Sequence, residues 1–91
     1  MRVNFEKETS DTKQEIRELL CLNLNLKENL RELHKKVLKL YSLYELNKTH
    51  KRSKLMFNIR LALDKLLECL VLNKRVEQIT IKRSITMILG A

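Results

Sequence analysis

The densest group of side chains that could do chemistry is a basic cluster near the middle of the chain. Five of the seven residues from 48 to 54 are lysine, arginine or histidine, namely Lys48, His50, Lys51, Arg52 and Lys54. Such a cluster attracts phosphate groups and acidic surfaces. Three roles follow as alternatives: a solvated tip that aids solubility, contact with nucleic-acid phosphates, or contact with an acidic protein or lipid surface. No zinc-finger, basic-zipper or RNA-recognition motif accompanies the cluster, so base-specific binding is not expected.

The residue types that usually perform catalysis or bind metals form no recognisable site. His34 and Cys21 fall on outward positions of a predicted helix, and Cys69 falls beside an apolar stripe. Glu15 and Glu18 share a face at a helix start, where carboxylates favour the helix dipole. The chain has no glycine-rich phosphate loop, nucleophile elbow or paired histidine motif. We therefore expect a protein that is not an enzyme, with no catalytic or metal-binding residues and no cofactor.

The composition predicts an all-α fold that would position the basic cluster between two helices. The 91 residues include no proline and one glycine, and 33% are charged, which is typical of helical chains. We predict a loose arm at 1–11 and one helical domain at 12–91, with helices at 12–46 and 54–78, a basic loop at 47–53 and a C-terminal segment at 79–91. Thr12 and Glu15 have capping-box spacing. A second possible start at Asn25, with Glu28, would divide the first helix within the sequence LNLN.

Two apolar stripes with gaps of three and four residues predict that these helices pack together as an antiparallel, coiled-coil-like hairpin. In the predicted register Asn23 faces Asn73, and such a polar pair can fix the alignment of an apolar seam. The seam residues are Leu26, Leu30, Leu33, Val37 and Leu40 from the first helix and Met56, Ile59, Leu63, Leu66 and Leu70 from the second, together with Asn23 and Asn73.

Further apolar residues flank this seam, and they predict contacts beyond it. Broad apolar faces are typical of helices with more than one neighbour. Either the C-terminal segment folds back over them, or helices of another protein bind them. The predicted partner-helix interface consists of Leu20, Leu22, Leu43, Leu46, Leu55, Ala62, Cys69 and Val76.

Chain length and cysteine content add expectations about partners and location. A chain of 91 residues with 4% aromatic residues builds a thin core, so we expect one or more helical partners in a hetero-oligomer. Two cysteines without metal spacing are typical of a reducing compartment. No apolar run approaches the length of a membrane span, and no signal-peptide pattern is present. These features predict an intracellular assembly or adaptor subunit of a larger complex.

The second half of the chain also resembles a histone fold. The segment ELHKKVLKLYSLYELN corresponds to a first helix, KTHKRS to a first loop, residues 54–78 to a central helix, ITIKR to a second loop and SITMIL to a last helix. The resemblance covers residues 31–90 and is nearest to the small centromeric histone-fold subunits. It implies, as the alternative, a histone fold with an extra N-terminal helix that heterodimerises and binds DNA in a nuclear chromatin or kinetochore complex. Lys51, Arg52, Lys82 and Arg83 would then contact phosphates.

Overall fold

Four α-helices make up most of the chain in a computed structural model that describes residues 4–46, 53–72 and 77–90. They are α1 (Phe5–Leu19), α2 (Lys27–Leu46), α3 (Ser53–Val71) and α4 (Gln78–Leu89). The other described residues form turns and helix ends, and no strand occurs among them. The predicted all-α class is confirmed for the described part of the chain.

The predicted helix 12–46 is wrong, because the chain forms two helices there with a turn between them. Asn23 causes the break: its Oδ1 accepts a hydrogen bond from the backbone N–H of Asn25 at 3.0 Å, and its carbonyl accepts one from Asn29 Nδ2 at 2.9 Å. Such local bonds satisfy the backbone without a helix. α2 begins at Lys27, near the second start considered at Asn25.

The predicted loose arm at 1–11 is also wrong from Phe5 onward, because α1 begins there. Asn4 caps this helix: its Oδ1 accepts a hydrogen bond from the backbone N–H of Lys7 at 3.1 Å. Glu6 and Glu8 add negative charge to the first turn, which the helix dipole favours. The predicted helix start at Thr12 is therefore wrong: Thr12 lies inside α1, and its Oγ1 donates a hydrogen bond to the carbonyl of Glu8.

The C-terminal boundaries differ from the prediction as well. α3 ends at Val71 rather than near residue 78, and residues 79–83 belong to α4. Ile81 and Ile85 are both buried in the core. Their burial outweighs the modest helix penalty of β-branched residues, which is why the segment is helical. The second loop that the histone-fold resemblance places at ITIKR is helical in this structure.

α1 and α2 form an antiparallel pair. The rings of Phe5 and Tyr44 meet edge to face with centroids 5.7 Å apart, and Lys39 Nζ lies 3.7 Å from Glu8 Oε2. Further along, Lys36 forms an ion pair with Glu15. Residue numbers therefore rise along α1 as they fall along α2. α3 packs against α2, and α4 packs against α3.

One continuous apolar core joins the four helices and the turn residue Leu24. Most predicted seam residues contribute to it: Leu30, Leu33, Val37, Leu40, Ile59 and Leu66 are buried, and Met56, Leu63 and Leu70 are half-buried against it. Leu26 does not, because it lies in the turn before α2 and is 57% exposed. The pairing of individual seam layers stays a prediction.

Asn73, the predicted partner of Asn23, lies outside the described residues. Asn23 is exposed and has other partners. Besides the Asn25 bond, its Oδ1 accepts a hydrogen bond from Gln78 Nε2 at 3.4 Å. This contact joins the α1–α2 turn to the start of α4 at one end of the molecule.

Candidate helix-binding surface

The outward side of α3 is the most apolar helix surface that the described residues leave exposed. Phe57 is 61% exposed and Val71 67% exposed, and Leu61 and Leu67 are also exposed. These four residues define the outer face of α3, and exposed Leu72 follows directly. Exposed apolar groups of this size on one helix make this surface a candidate for binding another protein.

The opposite side of α3 is apolar too, because it forms part of the core. Leu55, Ile59, Ala62 and Leu66 are all buried there. A helix at the surface of a monomer usually combines one apolar face with a polar one, whereas a helix that is apolar all round is surrounded by neighbours. The neighbours within the chain, α2 and α4, leave the outer face uncovered.

Part of the predicted partner-helix interface is wrong, because the chain buries those residues itself. Leu43, Leu55 and Ala62 belong to the interior. Ala62 lies beside α4, since Ala62 and Met87 line the same groove. The packing of α4 on α3 agrees with fold-back of the C-terminal segment, one of the two alternatives considered.

The remaining predicted interface residues are dispersed rather than brought together on one face. Leu20 and Cys69 are half-buried against the core, whereas Leu22 and Leu46 are exposed. Leu22 lies in the turn after α1, and Leu46 is the last residue of α2. Val76 lies outside the described residues.

Sequence reasoning did not identify the outer face of α3, although the helical spacing of its residues is visible in the sequence. Phe57, Leu67 and Val71 occur with Arg60 and Asp64 at successive gaps of three, four, three and four residues, which places all five along one side of a helix. We call these five residues the outer stripe of α3. The predicted seam on the same helix consists of five apolar residues without a polar interruption, so its periodic signal is stronger.

Arg60 and Asp64 make the outer stripe polar at its centre. Both side chains are exposed, and neither forms an ion pair with another described residue. They lie four residues apart with the cation on the N-terminal side, which is the less favourable order for pairing within one helix. The stripe therefore presents one positive and one negative group between its apolar ends.

A shallow groove separates the outer face of α3 from α4. Its volume is about 100 Å³, and its lining consists of Asn58, Leu61, Ala62, Lys65, Ser84 and Met87. Leu61 and Met87 are exposed, so the groove extends the apolar surface toward α4. It is large enough for a side chain of a bound helix, but too small and too open for a drug-sized ligand.

A second groove, between α1 and α2, is acidic and has a volume of about 330 Å³. Glu15, Glu18 and Glu32 contribute to its lining together with Leu22 and Lys36. Lys36 donates a hydrogen bond to Glu15, which lowers the pKa of Glu15 and raises the pKa of Lys36. The described ranges contain no cluster of side chains suited to holding a metal ion.

The predicted phosphate-binding residues lie partly beyond what the structure describes. Lys48, His50, Lys51 and Arg52 fall outside the described residues. Lys54 is exposed at the start of α3, Arg83 is exposed on α4, and Lys82 is half-buried beside it. Contact of these residues with phosphates or an acidic surface stays a prediction. Within the described part of the chain, no helix combines the length and the apolar character needed to cross a membrane.

Comparison with known proteins identifies no relative of this chain. No protein-family model, curated protein or solved structure matches the chain. We therefore infer function from the fold and the surface of the chain.

Proposed function

We propose that the protein is a non-catalytic assembly subunit that binds other helical chains through the outer face of α3. One observation supports this function above the others: α3 is apolar on its buried side and also exposes four large apolar residues on its outer face. Phe57 carries the largest apolar area on that exposed side, and large aromatic residues dominate the energy of helix-binding interfaces. A helix of apolar and complementary charged residues would fit this surface.

The basic residues at 48–54 have a second role in this proposal, contact with an acidic surface. Their charge would guide association with an acidic partner and orient the subunit on it. In the finer arrangement that we propose, α2 and α3 pack antiparallel through the predicted seam register. That register leaves the outer face of α3 available for a partner.

Affinity capture from the source cells tests the function by comparing three forms of the full chain. The first is the wild type, the second carries Phe57→Ser and Leu61→Ser, and the matched control carries Leu38→Ser and Ile79→Ser. Each variant replaces two large exposed apolar residues, both on α3 in the second form and one each on α2 and α4 in the control. We expect a helical protein that binds the wild type to be retained by the control variant and lost from the α3 variant. Equal capture by all three forms would argue against the proposal.

The histone-fold alternative remains a separate proposal with its own test. It predicts that the assembled dimer binds DNA and that this binding weakens steeply with salt, because Lys and Arg displace counterions from phosphates. Reversing the charge at Arg52 and Arg83 should then weaken DNA binding. Unchanged binding after both reversals would contradict this alternative.

A further inference from the structure

We propose that the partner of the outer stripe of α3 is a second copy of this chain, bound antiparallel in a symmetric dimer. This inference depends on the proposed function and names the helix that occupies the surface. The stripe consists of Phe57, Arg60, Asp64, Leu67 and Val71, all exposed along one side of α3. Its gaps of three and four residues are those of a helix–helix seam.

The arrangement of charge within the stripe indicates a copy of itself as the partner. A stripe of one sign would need a partner of the opposite sign, but this stripe contains one cation and one anion. Arg60 lies two residues before position 62 and Asp64 two residues after it. In a two-fold symmetric pair centred at that position, Arg60 of each copy faces Asp64 of the other, so both charges are satisfied twice.

Two of the three apolar residues of the stripe, Phe57 and Leu67, obey the same symmetry, whereas Val71 lies beyond the symmetric part. Phe57 lies five residues before position 62 and Leu67 five residues after it. Phe57 of each copy would therefore pack on Leu67 of the other, on either side of the two central ion pairs. One alignment thus pairs apolar with apolar and positive with negative groups without a mismatch among these four residues.

The charges also determine the orientation of the two helices. In a parallel pair in register, Arg60 would face Arg60 and Asp64 would face Asp64. Opposed like charges are strongly unfavourable in an interface. An antiparallel pair replaces both repulsions by attractions. The stripe can make this contact because it lies on the side of α3 that α2 and α4 leave exposed.

The test uses two charge-reversal variants of the full chain, Arg60→Asp and Asp64→Arg. In a dimer of either single variant, position 60 of each copy would face a like charge at position 64 of the other. We expect the dissociation constant of each to rise by on the order of 100-fold or more relative to the wild type.

An equimolar mixture of the two should form a mixed dimer, because every central contact then joins opposite charges. The double variant Arg60→Asp/Asp64→Arg should also dimerise. The control Lys7→Glu, which reverses an exposed charge on α1, should dimerise like the wild type.

Sedimentation equilibrium across a wide concentration range gives the masses, with 10.9 kDa expected for the monomer. Circular dichroism verifies that each variant is folded. The mixing step uses only variants, so self-association of the wild type through other residues does not obscure it. A monomeric wild type, single variants that still dimerise, or a mixture that stays monomeric would each overturn the dimer.

Failure of the dimer and failure of the proposed function give different results. If the wild type is monomeric yet captures a helical protein that the Phe57→Ser/Leu61→Ser variant loses, the partner is a different chain and the assembly function stands. If the wild type does not self-associate and both forms capture the same proteins, the dimer and the assembly function are both contradicted.

Discussion

α1 and α3 distribute polar and apolar residues in opposite ways. α1 buries the hydroxyl-bearing residues Thr9 and Thr12 beside Ile16, and none of its large apolar residues is strongly exposed. α3 buries only apolar residues and exposes Phe57 and Val71 among others. α1 therefore has the residue distribution of a helix with one buried side, which packs mainly against α2. α3, in contrast, has more large apolar residues than the fold of this chain buries.

Adjacent leucines on α3 provide the sharpest test of that contrast. Leu66 is 1% exposed and Leu67 is 48% exposed. We expect Leu66→Ala to lower the free energy of unfolding by about 2–5 kcal/mol, because it leaves a cavity in the core. Leu67→Ala should change it by about 0.5 kcal/mol or less when the chain is studied as a monomer. Urea unfolding at low protein concentration measures both. A large loss from Leu67→Ala would show that the outer stripe is covered within the chain.

The buried threonines of α1 give the next largest expected effect. Thr9 Oγ1 is buried without a hydrogen-bond partner among the described residues, whereas Thr12 Oγ1 donates to the carbonyl of Glu8 at 2.7 Å. Thr9→Val should raise the free energy of unfolding by about 1–2 kcal/mol, because it removes an unsatisfied polar atom at nearly constant volume.

Thr12→Val is the matched control and should give no such gain, because it removes a satisfied hydroxyl. Urea unfolding of the two variants under identical conditions compares them. A loss of stability in Thr9→Val would mean that this hydroxyl has a partner in solution, such as water.

The helix starts extend the comparison to α4. Asn4 caps α1 through its side chain, but Glu77 makes no side-chain cap for α4. We expect Asn4→Ala to lower the free energy of unfolding by about 1 kcal/mol, and Glu77→Ser to raise it by about 0.5 kcal/mol by adding a cap. Thermal unfolding followed by circular dichroism measures both changes. If Glu77→Ser destabilises the chain, the charge of Glu77 at the helix dipole matters more than a cap.

The ion pair between α1 and α2 should have the smallest effect, and pH reveals it best. The hydrogen bond from Lys36 holds the pKa of Glu15 below its ordinary value of 4.5, so the folded state binds fewer protons. The resulting stabilisation is fully present above pH 4.5 and is lost as pH falls through the lowered pKa of the folded state. Lys36 has a pKa raised above 10.5, so its contribution is present below that pH and is lost as pH rises through the raised value.

Glu15→Gln should therefore reduce stability by a small, constant amount between these limits and match the wild type in acid. Urea unfolding at a series of pH values measures this difference, and Glu18→Gln serves as a control that removes a carboxylate without an ion pair among the described residues. A difference between Glu15→Gln and the wild type that persists at the acid end would contradict the linkage. Because the pair is partly exposed, added salt should weaken it.

Local rules predicted a large part of this fold correctly. The absence of proline and the three–four spacing of leucines predicted helices, and most residues of the two predicted seam stripes lie in or against the core. The same rules failed at Asn23, because an uninterrupted heptad pattern through that position was given more weight than the hydrogen bonds that an asparagine side chain offers its own backbone. They also placed the end of the second helix near residue 78, whereas α3 ends at Val71 and α4 begins at Gln78, with Ile81 buried in the core.

What the sequence by itself determined is the helical class, the apolar stripes and the position of the basic cluster, since these depend on residue type and spacing within one element. Only the tertiary structure decided which apolar face remains open. Leu55 and Phe57 are both large and apolar, yet one is buried and the other exposed. The direction of each side chain follows from where α2 and α4 pack on α3, and that packing depends on all four helices competing for the same apolar surface.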